Sequence, residues 1–100
     1  MSFRFLLPAI RELDTAVDYY GGLEESLSQR FLAEFERTLS RIESWPEAWM
    51  PVDQELRRYR IKGFPYGMIS SLDGDVIIVV SIMNLHRHPD CWRDNLNPPA

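Results

Sequence analysis

The stretch that decides the fold is VIIVVSIM, which runs from Val76 to Met83 and has Ser81 as its one polar residue. Branched valine and isoleucine side chains favour β-structure, so the run predicts a buried strand. Asp73-Gly74 stands just before it and indicates a tight hairpin turn. A buried strand is a rigid support, and we therefore expect the polar residues that follow Met83 to be held in a defined place.

Two more strands are predicted immediately upstream. They are Leu56 to Ile61 and Met68 to Leu72, joined across Lys62-Gly63-Phe64-Pro65. The second of them leads through the Asp73-Gly74 turn into the apolar run. The C-terminal half of the chain therefore reads as a set of three consecutive strands.

The N-terminal half opens with a short strand and a helix. Phe3 to Leu7 is an apolar run closed by Pro8, a residue that the first turn of a helix tolerates. Apolar residues then recur at three-to-four spacing, which predicts one face of a helix. We expect Gly21-Gly22 to end it, because glycine adopts the left-handed conformation common at helix C-termini.

A second, longer amphipathic helix follows and is expected to stop near Trp45, ahead of Pro46. Within it, Arg30 and Glu34 stand four residues apart and are expected to form an ion pair. Pro51 is expected to keep the next stretch irregular.

This order predicts one α+β domain of β-α-α-β-β-β topology, with a helical hairpin laid over a mostly antiparallel sheet. The domain is expected to span residues 1–96, with a frayed tail at 97–100. The predicted core consists of Tyr20, Phe31, Phe35, Ile42, Tyr59, Ile78 and Val80.

The acidic and basic residues are unevenly distributed. The net charge is −4, which taken alone argues against a nucleic-acid binder. Between Pro8 and Glu47 the chain has nine acidic residues and four arginines. From Ala48 onward it has six acidic and six basic residues, whose charges cancel. Such asymmetry indicates two faces with different partners.

Nothing in the sequence suggests export or a membrane. We expect no secretory signal, because the chain does not open with a basic segment followed by an apolar one. The longest apolar run is far shorter than the roughly 20 residues of a membrane helix. Cys91 is the only cysteine, which rules out an intrachain disulfide. We therefore expect a cytoplasmic protein that has no membrane partner and needs no cofactor.

Basic residues concentrate around the strand Leu56–Ile61. Period-two alternation places Arg58, Arg60 and Lys62 on one face and Arg57, Tyr59 and Ile61 on the other. With Tyr59 and Ile61 facing the helices, the three cations would line the solvent face. Either this face is merely solvated or it binds a target, and Arg87 and Arg93 favour binding because they follow the neighbouring strand.

The tail after Met83 leaves several alternatives open. Trp92 is expected either to cap the core or to offer a stacking surface beside Arg93. His86, His88 and Asp90 superficially suggest a metal site, but the chain has only two histidines, so no metal site is predicted. Cys91 is expected to be a small packed residue and not a nucleophile.

Taken in order, these segments resemble the RelE/ParE superfamily, the toxins of bacterial type II toxin–antitoxin systems. Each matching piece is short and the ordered set covers nearly the whole chain. The pieces are Glu12-Leu13, Ala16, Tyr19-Tyr20, Ile42 with Pro46, Arg57-Arg58, Phe64-Pro65-Tyr66, and Arg87, Pro89 and Trp92 in an R-x-P-x-x-W arrangement. The resemblance implies a small cytoplasmic toxin held in a hetero-oligomer with a cognate antitoxin.

Two activities occur in that superfamily. RelE-like members cut messenger RNA on the ribosome, and here Arg60, Lys62 and Arg87 would match their cations. However, Gly67 stands where such members have an arginine, and Trp92 replaces a late tyrosine, which removes a proton donor.

ParE-like members poison DNA gyrase by binding and are not enzymes. The Phe64-Pro65-Tyr66 turn and the tail look closer to this branch, although Asn84 stands where the family often has a histidine. We therefore expect a ParE-like gyrase inhibitor, with an mRNA interferase or an inactive interaction module as alternatives. The candidate target-binding residues are Arg57, Arg58, Arg60, Lys62, Arg87, His88, Trp92 and Arg93.

Overall fold

The computed structural model describes residues 2–45, 50–53, 56–87 and 92–96. Along these ranges lie a strand, two long helices, four further strands and a short helix. They are β1 (Ser2–Phe5), α1 (Leu7–Leu23), α2 (Glu25–Ser44), β2 (Met50–Asp53), β3 (Leu56–Ile61), β4 (Tyr66–Asp73), β5 (Val76–Asn84) and α3 (Arg93–Leu96). The predicted tail at 97–100 lies outside the described residues, and the predicted domain boundary at residue 96 stays a prediction.

The strands form one five-stranded sheet in the order β1-β5-β4-β3-β2. β1 pairs parallel with β5, and the three other pairings are antiparallel. The predicted α+β class, with a helical hairpin on a mostly antiparallel sheet, is therefore confirmed. The apolar run Val76–Met83 occupies β5, between β1 and β4.

β2 was not predicted, and the expectation that Pro51 keeps this stretch irregular is wrong. Pro51 pairs with Arg57 in a register that shifts before Asp53. β2 lies at the edge of the sheet. An edge strand accommodates proline, because the missing N–H falls on the side that has no neighbouring strand.

The predicted end of the first helix is also wrong. α1 continues through Gly21-Gly22 to Leu23, and neither glycine has a positive φ. The chain reverses at Glu24, whose extended backbone ends α1 and begins α2, and its N–H bonds to the carbonyl of Tyr20 at 2.9 Å. Positive φ occurs instead at Gly63 and Gly74, which stand in the two turns that connect β3, β4 and β5.

Within α2, the expected pair between Arg30 and Glu34 is replaced by another. Glu34 pairs with Arg37, three residues later, and the Arg30 guanidinium lies 5.8 Å from the centre of the Phe64 ring. Arg30 therefore makes a cation–π contact with the turn after β3.

The helical hairpin covers one face of the sheet with an aromatic cluster at its tip. Tyr20 and Phe31 stack with ring centroids 5.4 Å apart, and Phe64 meets both rings edge-on at 4.9 and 5.0 Å. Tyr66 lies 5.4 Å from Phe31. Phe64 in the turn after β3 and Tyr66 at the start of β4 therefore pack against both helices and hold the hairpin on the sheet.

A second apolar cluster lies on the opposite face of the sheet. Ile69, Val80, Met83 and Trp92 are its buried members, and the half-buried Ile78 packs against it. Of the predicted core, Tyr20, Phe31, Phe35 and Ile42 of the helices and Tyr59 of β3 lie buried between the helical hairpin and the sheet, as expected. Val80 belongs to the second cluster instead, and Ile78 is only half-buried, because Ile77 and Val79 are the residues of β5 that face the helices.

A β-bulge explains how β5 serves both faces. The β4–β5 register shifts between Ile69 and Ser70, whose partners are Ser81 and Val79, so Val80 is the additional residue. As a result Val79 and Ile82, three residues apart, both join the cluster beneath the helices. Bulges change the side-chain alternation in this way and also interrupt the hydrogen-bond ladder.

Glu12 of α1 binds to this interrupted region. Its carboxylate accepts hydrogen bonds from the Ser81 hydroxyl at 3.0 Å, the Ile82 amide at 3.2 Å and the Asn95 side chain at 2.8 Å. Asn95 in turn donates to the Val80 carbonyl at 3.0 Å. One half-buried carboxylate therefore joins α1, β5 and α3.

We expect Glu12→Ala to lower the free energy of unfolding by about 1–3 kcal/mol, because it leaves buried donors without an acceptor. Glu12→Gln should also be destabilising, since its amide NH₂ faces these donors. Urea denaturation measures both effects, and Glu36→Ala, on the exposed side of α2, is the control. Equal stability of Glu12→Ala and Glu36→Ala would contradict the role of Glu12.

The raised pKa of Tyr20 predicts that the protein loses stability at alkaline pH. Burial raises the pKa of the Tyr20 hydroxyl above the usual 10.0, and the neighbouring Tyr66 and Tyr19 add to the effect. The unfolded chain therefore releases this proton at lower pH than the folded protein does. The stabilisation that the protonated Tyr20 hydroxyl provides is thus fully present below about pH 10 and is lost as the pH rises above it. The stability advantage of the wild type over Tyr20→Phe should shrink between pH 8 and pH 11. A constant difference across that range would contradict this assignment.

Candidate functional site

β3 distributes its arginines between the two faces of the sheet. Tyr59 and Ile61 are buried under the helices, and Arg57 shares their side of the strand. Arg58 and Arg60 lie on the opposite side, where they pair with Ile69 and Gly67 of β4. Arg57, which is half-buried, therefore lies on the helix side of the sheet and does not belong to the same surface as Arg58 and Arg60.

Arg58 packs closely over Gly67. A Cβ atom at Gly67 would lie 3.0 Å from Leu85 and 3.2 Å from the Arg58 side chain. The space beside Gly67 is therefore filled by the aliphatic part of an arginine and by Leu85. The Arg58 side chain is half-buried, so its stem contributes to packing as well as to charge.

Arg60, Lys62 and Arg87 lie at one end of the sheet. Ile61, next to both Arg60 and Lys62, pairs with Tyr66, and Tyr66 pairs with Asn84 near Arg87. β3 and β5 are separated by β4, which places the two groups about 10 Å apart across the sheet. All three side chains are exposed. Lys62 lies in the turn after β3, so the expected row of three cations on one strand face is shortened to two.

Trp92 is not an exposed stacking surface. Its side chain is 1% exposed and packs in the second apolar cluster, so the core-capping alternative is the one observed. Arg93 follows it with an exposed side chain, and its guanidinium lies 4.4 Å from the centre of the Trp92 ring. Trp92 therefore drops out of the candidate target surface. His88, Asp90 and Cys91 lie outside the described residues.

A cleft of about 330 Å³ lies between α1 and the end of β5. α1 contributes Arg11, Glu12 and Thr15 to its wall. The sheet side consists of Tyr66, Ile82, Asn84 and Arg87. Of these residues, only Arg87 was a candidate from the sequence.

The contribution of α1 to this cleft was missed because it depends on contacts between residues about 70 positions apart. Glu12 touches Ser81 and Ile82 only in the folded chain. The one local signal was that Arg11 and Thr15 stand four apart, and hence on the same side of a helix.

Hydrogen bonds fix the chain direction around Arg87. The side-chain oxygen of Asn84 accepts from the His86 amide at 2.8 Å, and the Asn84 carbonyl accepts from the Arg87 amide at 3.1 Å. These two bonds form a tight turn directly after β5. The turn presents Arg87 back toward the cleft that it helps to line.

Metal ligation and membrane insertion find no support in residues 2–45, 50–53, 56–87 and 92–96. These ranges contain no group of three or more histidine, cysteine, aspartate or glutamate residues able to hold a metal ion. In the same ranges, no helix has the length and apolar character required to cross a membrane.

The burial of Trp92 generates a test that separates packing from stacking on a target. We expect Trp92→Ala to lower the free energy of unfolding by about 3–5 kcal/mol, with a smaller loss for Trp92→Phe. Urea denaturation followed by far-ultraviolet circular dichroism measures this loss. A Trp92→Ala variant of wild-type stability that had lost its biological activity would instead identify Trp92 as a contact residue.

Comparisons with known proteins match this fold. No curated protein matches the sequence significantly. Among solved structures, a chain of a chromosomal ParDE toxin–antitoxin system from P. aeruginosa superimposes with a TM-score of 0.68. The two chains are 18% identical, and the match covers 86% of this chain and 97% of the other. At this identity the similarity shows the fold.

The family comparison goes further. The model of the ParE toxin of the type II toxin–antitoxin system parDE matches residues 3–89, a range that begins in β1 and extends past Arg87. This range covers both long helices and the four strands that follow them. The chain therefore belongs to the ParE toxin family of type II toxin–antitoxin systems.

Proposed function

We propose that this ParE-family toxin inhibits DNA gyrase by binding to it and cleaves no nucleic acid itself. The observation that carries the proposal is the position of Gly67. The RelE-like members that cut messenger RNA have an arginine there, whereas here Leu85 and Arg58 lie within 3.0–3.2 Å of where a Cβ would stand. A longer side chain at this position requires both neighbours to move.

The proposed gyrase-binding surface is the end of the sheet that carries Arg60, Lys62 and Arg87. Their exposed charges suit an acidic surface on a partner protein. Arg58 lies two residues before Arg60 on β3, and Arg93 lies over the ring of Trp92. Both remain candidates, as does His88 by its place in the sequence. The burial of Trp92 removes the stacking residue that an RNA substrate would use.

Neutralisation by a cognate antitoxin in the cytoplasm is the second part of the proposal. Exposed apolar side chains on the helical hairpin support it, because Tyr19 and Leu23 near its tip are 60% and 62% exposed. Leu7 and Ile10, in the first turn of α1, are also exposed, at 57% and 41%. A partner that covers these side chains stabilises a small domain by mass action.

A ribosome-dependent mRNA interferase is the second candidate. The observation in its favour is that Arg60, Lys62 and Arg87 lie at the same end of the sheet, where cations stabilise the charge of a cleaved phosphodiester. Under this alternative the same three residues have catalytic roles. A family member without either activity, acting as an interaction module, is the remaining candidate.

We expect the purified protein to inhibit gyrase supercoiling, and its expression to arrest growth with DNA breaks and intact transcripts. Arg87→Ala and Arg60→Ala should each weaken gyrase inhibition about ten- to hundred-fold. This range corresponds to the loss of one charge-assisted contact, which is worth about 1.5–3 kcal/mol. Arg37→Ala is the matched control, because Arg37 lies on α2 and pairs with Glu34.

The same preparations distinguish the candidates. Cleavage of ribosome-bound message with unaffected supercoiling would establish the interferase and overturn the gyrase proposal. A folded protein that is inactive in both assays would identify the interaction module. For neutralisation, the protein encoded by an adjacent reading frame should co-purify with the toxin and restore growth, and separate elution at micromolar concentration would contradict this part.

A further inference from the structure

The side of β5 that faces away from β4 is occupied by three different groups in succession. β1 pairs with Val76 to Val79, and the Leu6 amide continues the ladder to the Val79 carbonyl at 3.0 Å. After Leu6 the chain turns into α1. The Asn95 side chain then bonds to the Val80 carbonyl, and the Glu12 carboxylate bonds to the Ile82 amide. Two side chains thus replace the backbone of a neighbouring strand.

Beyond Glu12, β5 has a free edge. The Leu85 amide bonds to the Pro65 carbonyl, so the alternation of an antiparallel ladder turns the backbone of Asn84 and of Ile82 away from β4. The Ile82 amide is bonded to Glu12 and the Asn84 carbonyl to the Arg87 amide. The Ile82 carbonyl and the Asn84 amide have no partner within the described ranges.

These two groups match one residue of an added parallel strand. In a parallel ladder, the incoming residue donates its N–H to one carbonyl and accepts from the amide two residues further on. Ile82 and Asn84 provide that carbonyl and that amide on either side of Met83. β1 already pairs parallel with β5, so an incoming segment would continue in the direction of β1.

The positive charges of Arg11 and Arg87 at this edge favour a peptide segment that carries an acidic side chain. Arg11 and Arg87 line the cleft beside the free groups, and both side chains are exposed. Neither forms an ion pair with a carboxylate in the part of the chain that the structure describes. Two arginines at one cleft favour a carboxylate that forms charge-assisted hydrogen bonds with them.

We propose that this cleft binds an extended peptide segment of a partner protein, which pairs with Ile82 and Asn84 and places an acidic side chain between Arg11 and Arg87. The cleft volume of about 330 Å³ suits a short length of chain and not a folded element. The Glu12 carboxylate in the same wall disfavours a polyanionic nucleic-acid backbone. The proposal does not depend on gyrase being the cellular target.

Nuclear magnetic resonance of the ¹⁵N-labelled full chain tests the proposal with a capped pentapeptide, Thr-Val-Asp-Val-Thr. We expect the amide resonance of Asn84 to shift and its hydrogen exchange to slow. The peptide with asparagine in place of aspartate should bind about tenfold more weakly, because it lacks the charge. Arg11→Gln and Arg87→Gln should each cause a similar loss, and Arg37→Gln on α2 should cause none.

Four results would overturn the proposal. An unchanged Asn84 amide would exclude strand pairing, and equal binding of the aspartate and asparagine peptides would exclude the arginine clamp. Sodium acetate that reproduced the whole pattern of shifts would reduce the site to one for a free anion. A short single-stranded RNA that shifted the same amides at lower concentration than the peptide would assign the cleft to nucleic acid instead.

Discussion

The structure depends on β5 being covered on both faces while one of its edges is only partly paired. The helical hairpin covers the face of β5 that carries Ile77, Val79 and Ile82. Trp92 of the C-terminal segment packs on the other face. A strand in this position has to be apolar on both sides, which an alternating sequence would not provide. Along the partly paired edge, backbone N–H and C=O groups of β5 have no neighbouring strand. They need hydrogen-bond acceptors and donors from elsewhere in the chain.

Glu12 and Asn95 provide two of these hydrogen-bond partners, for the Ile82 amide and the Val80 carbonyl. Because α1 begins just after β1, its first turns lie beside the bulged part of β5, where the Glu12 carboxylate reaches the Ile82 amide. The same helix brings Arg11 and Thr15 to the cleft. The stabilising carboxylate and the exposed arginine are neighbours in sequence, so the residue that stabilises this edge stands beside the residue that we propose to bind a partner there.

The segments that resemble the toxin superfamily turn out to act mainly through packing. Phe64 and Tyr66 enter the aromatic cluster with Tyr20 and Phe31, and Trp92 closes the second cluster. In this chain, these aromatic residues therefore contribute to the fold and not to an exposed surface. Differences in activity are then expected from surface cations and from positions such as Gly67, where a single side chain changes what the sheet presents.

The sequence by itself determined β1, the two long helices and the strands β3 to β5, together with the core residues of the helices and of β3. Three local patterns carry this information: the run of β5, which is apolar except for Ser81, the three-to-four spacing of α1 and α2, and the period of two in β3. Local backbone geometry fixes what they form. The turn glycines Gly63 and Gly74 are likewise set by local steric rules.

Tertiary structure alone decided the rest. Pro51 entered a strand because an edge position required no N–H from it, and α1 passed Gly21-Gly22 because Glu24 provided the reversal. Trp92 became buried, and Glu12 met Ser81, through contacts between residues far apart in sequence. No local pattern encodes such contacts, because their free energy depends on which distant surfaces the folded chain brings together.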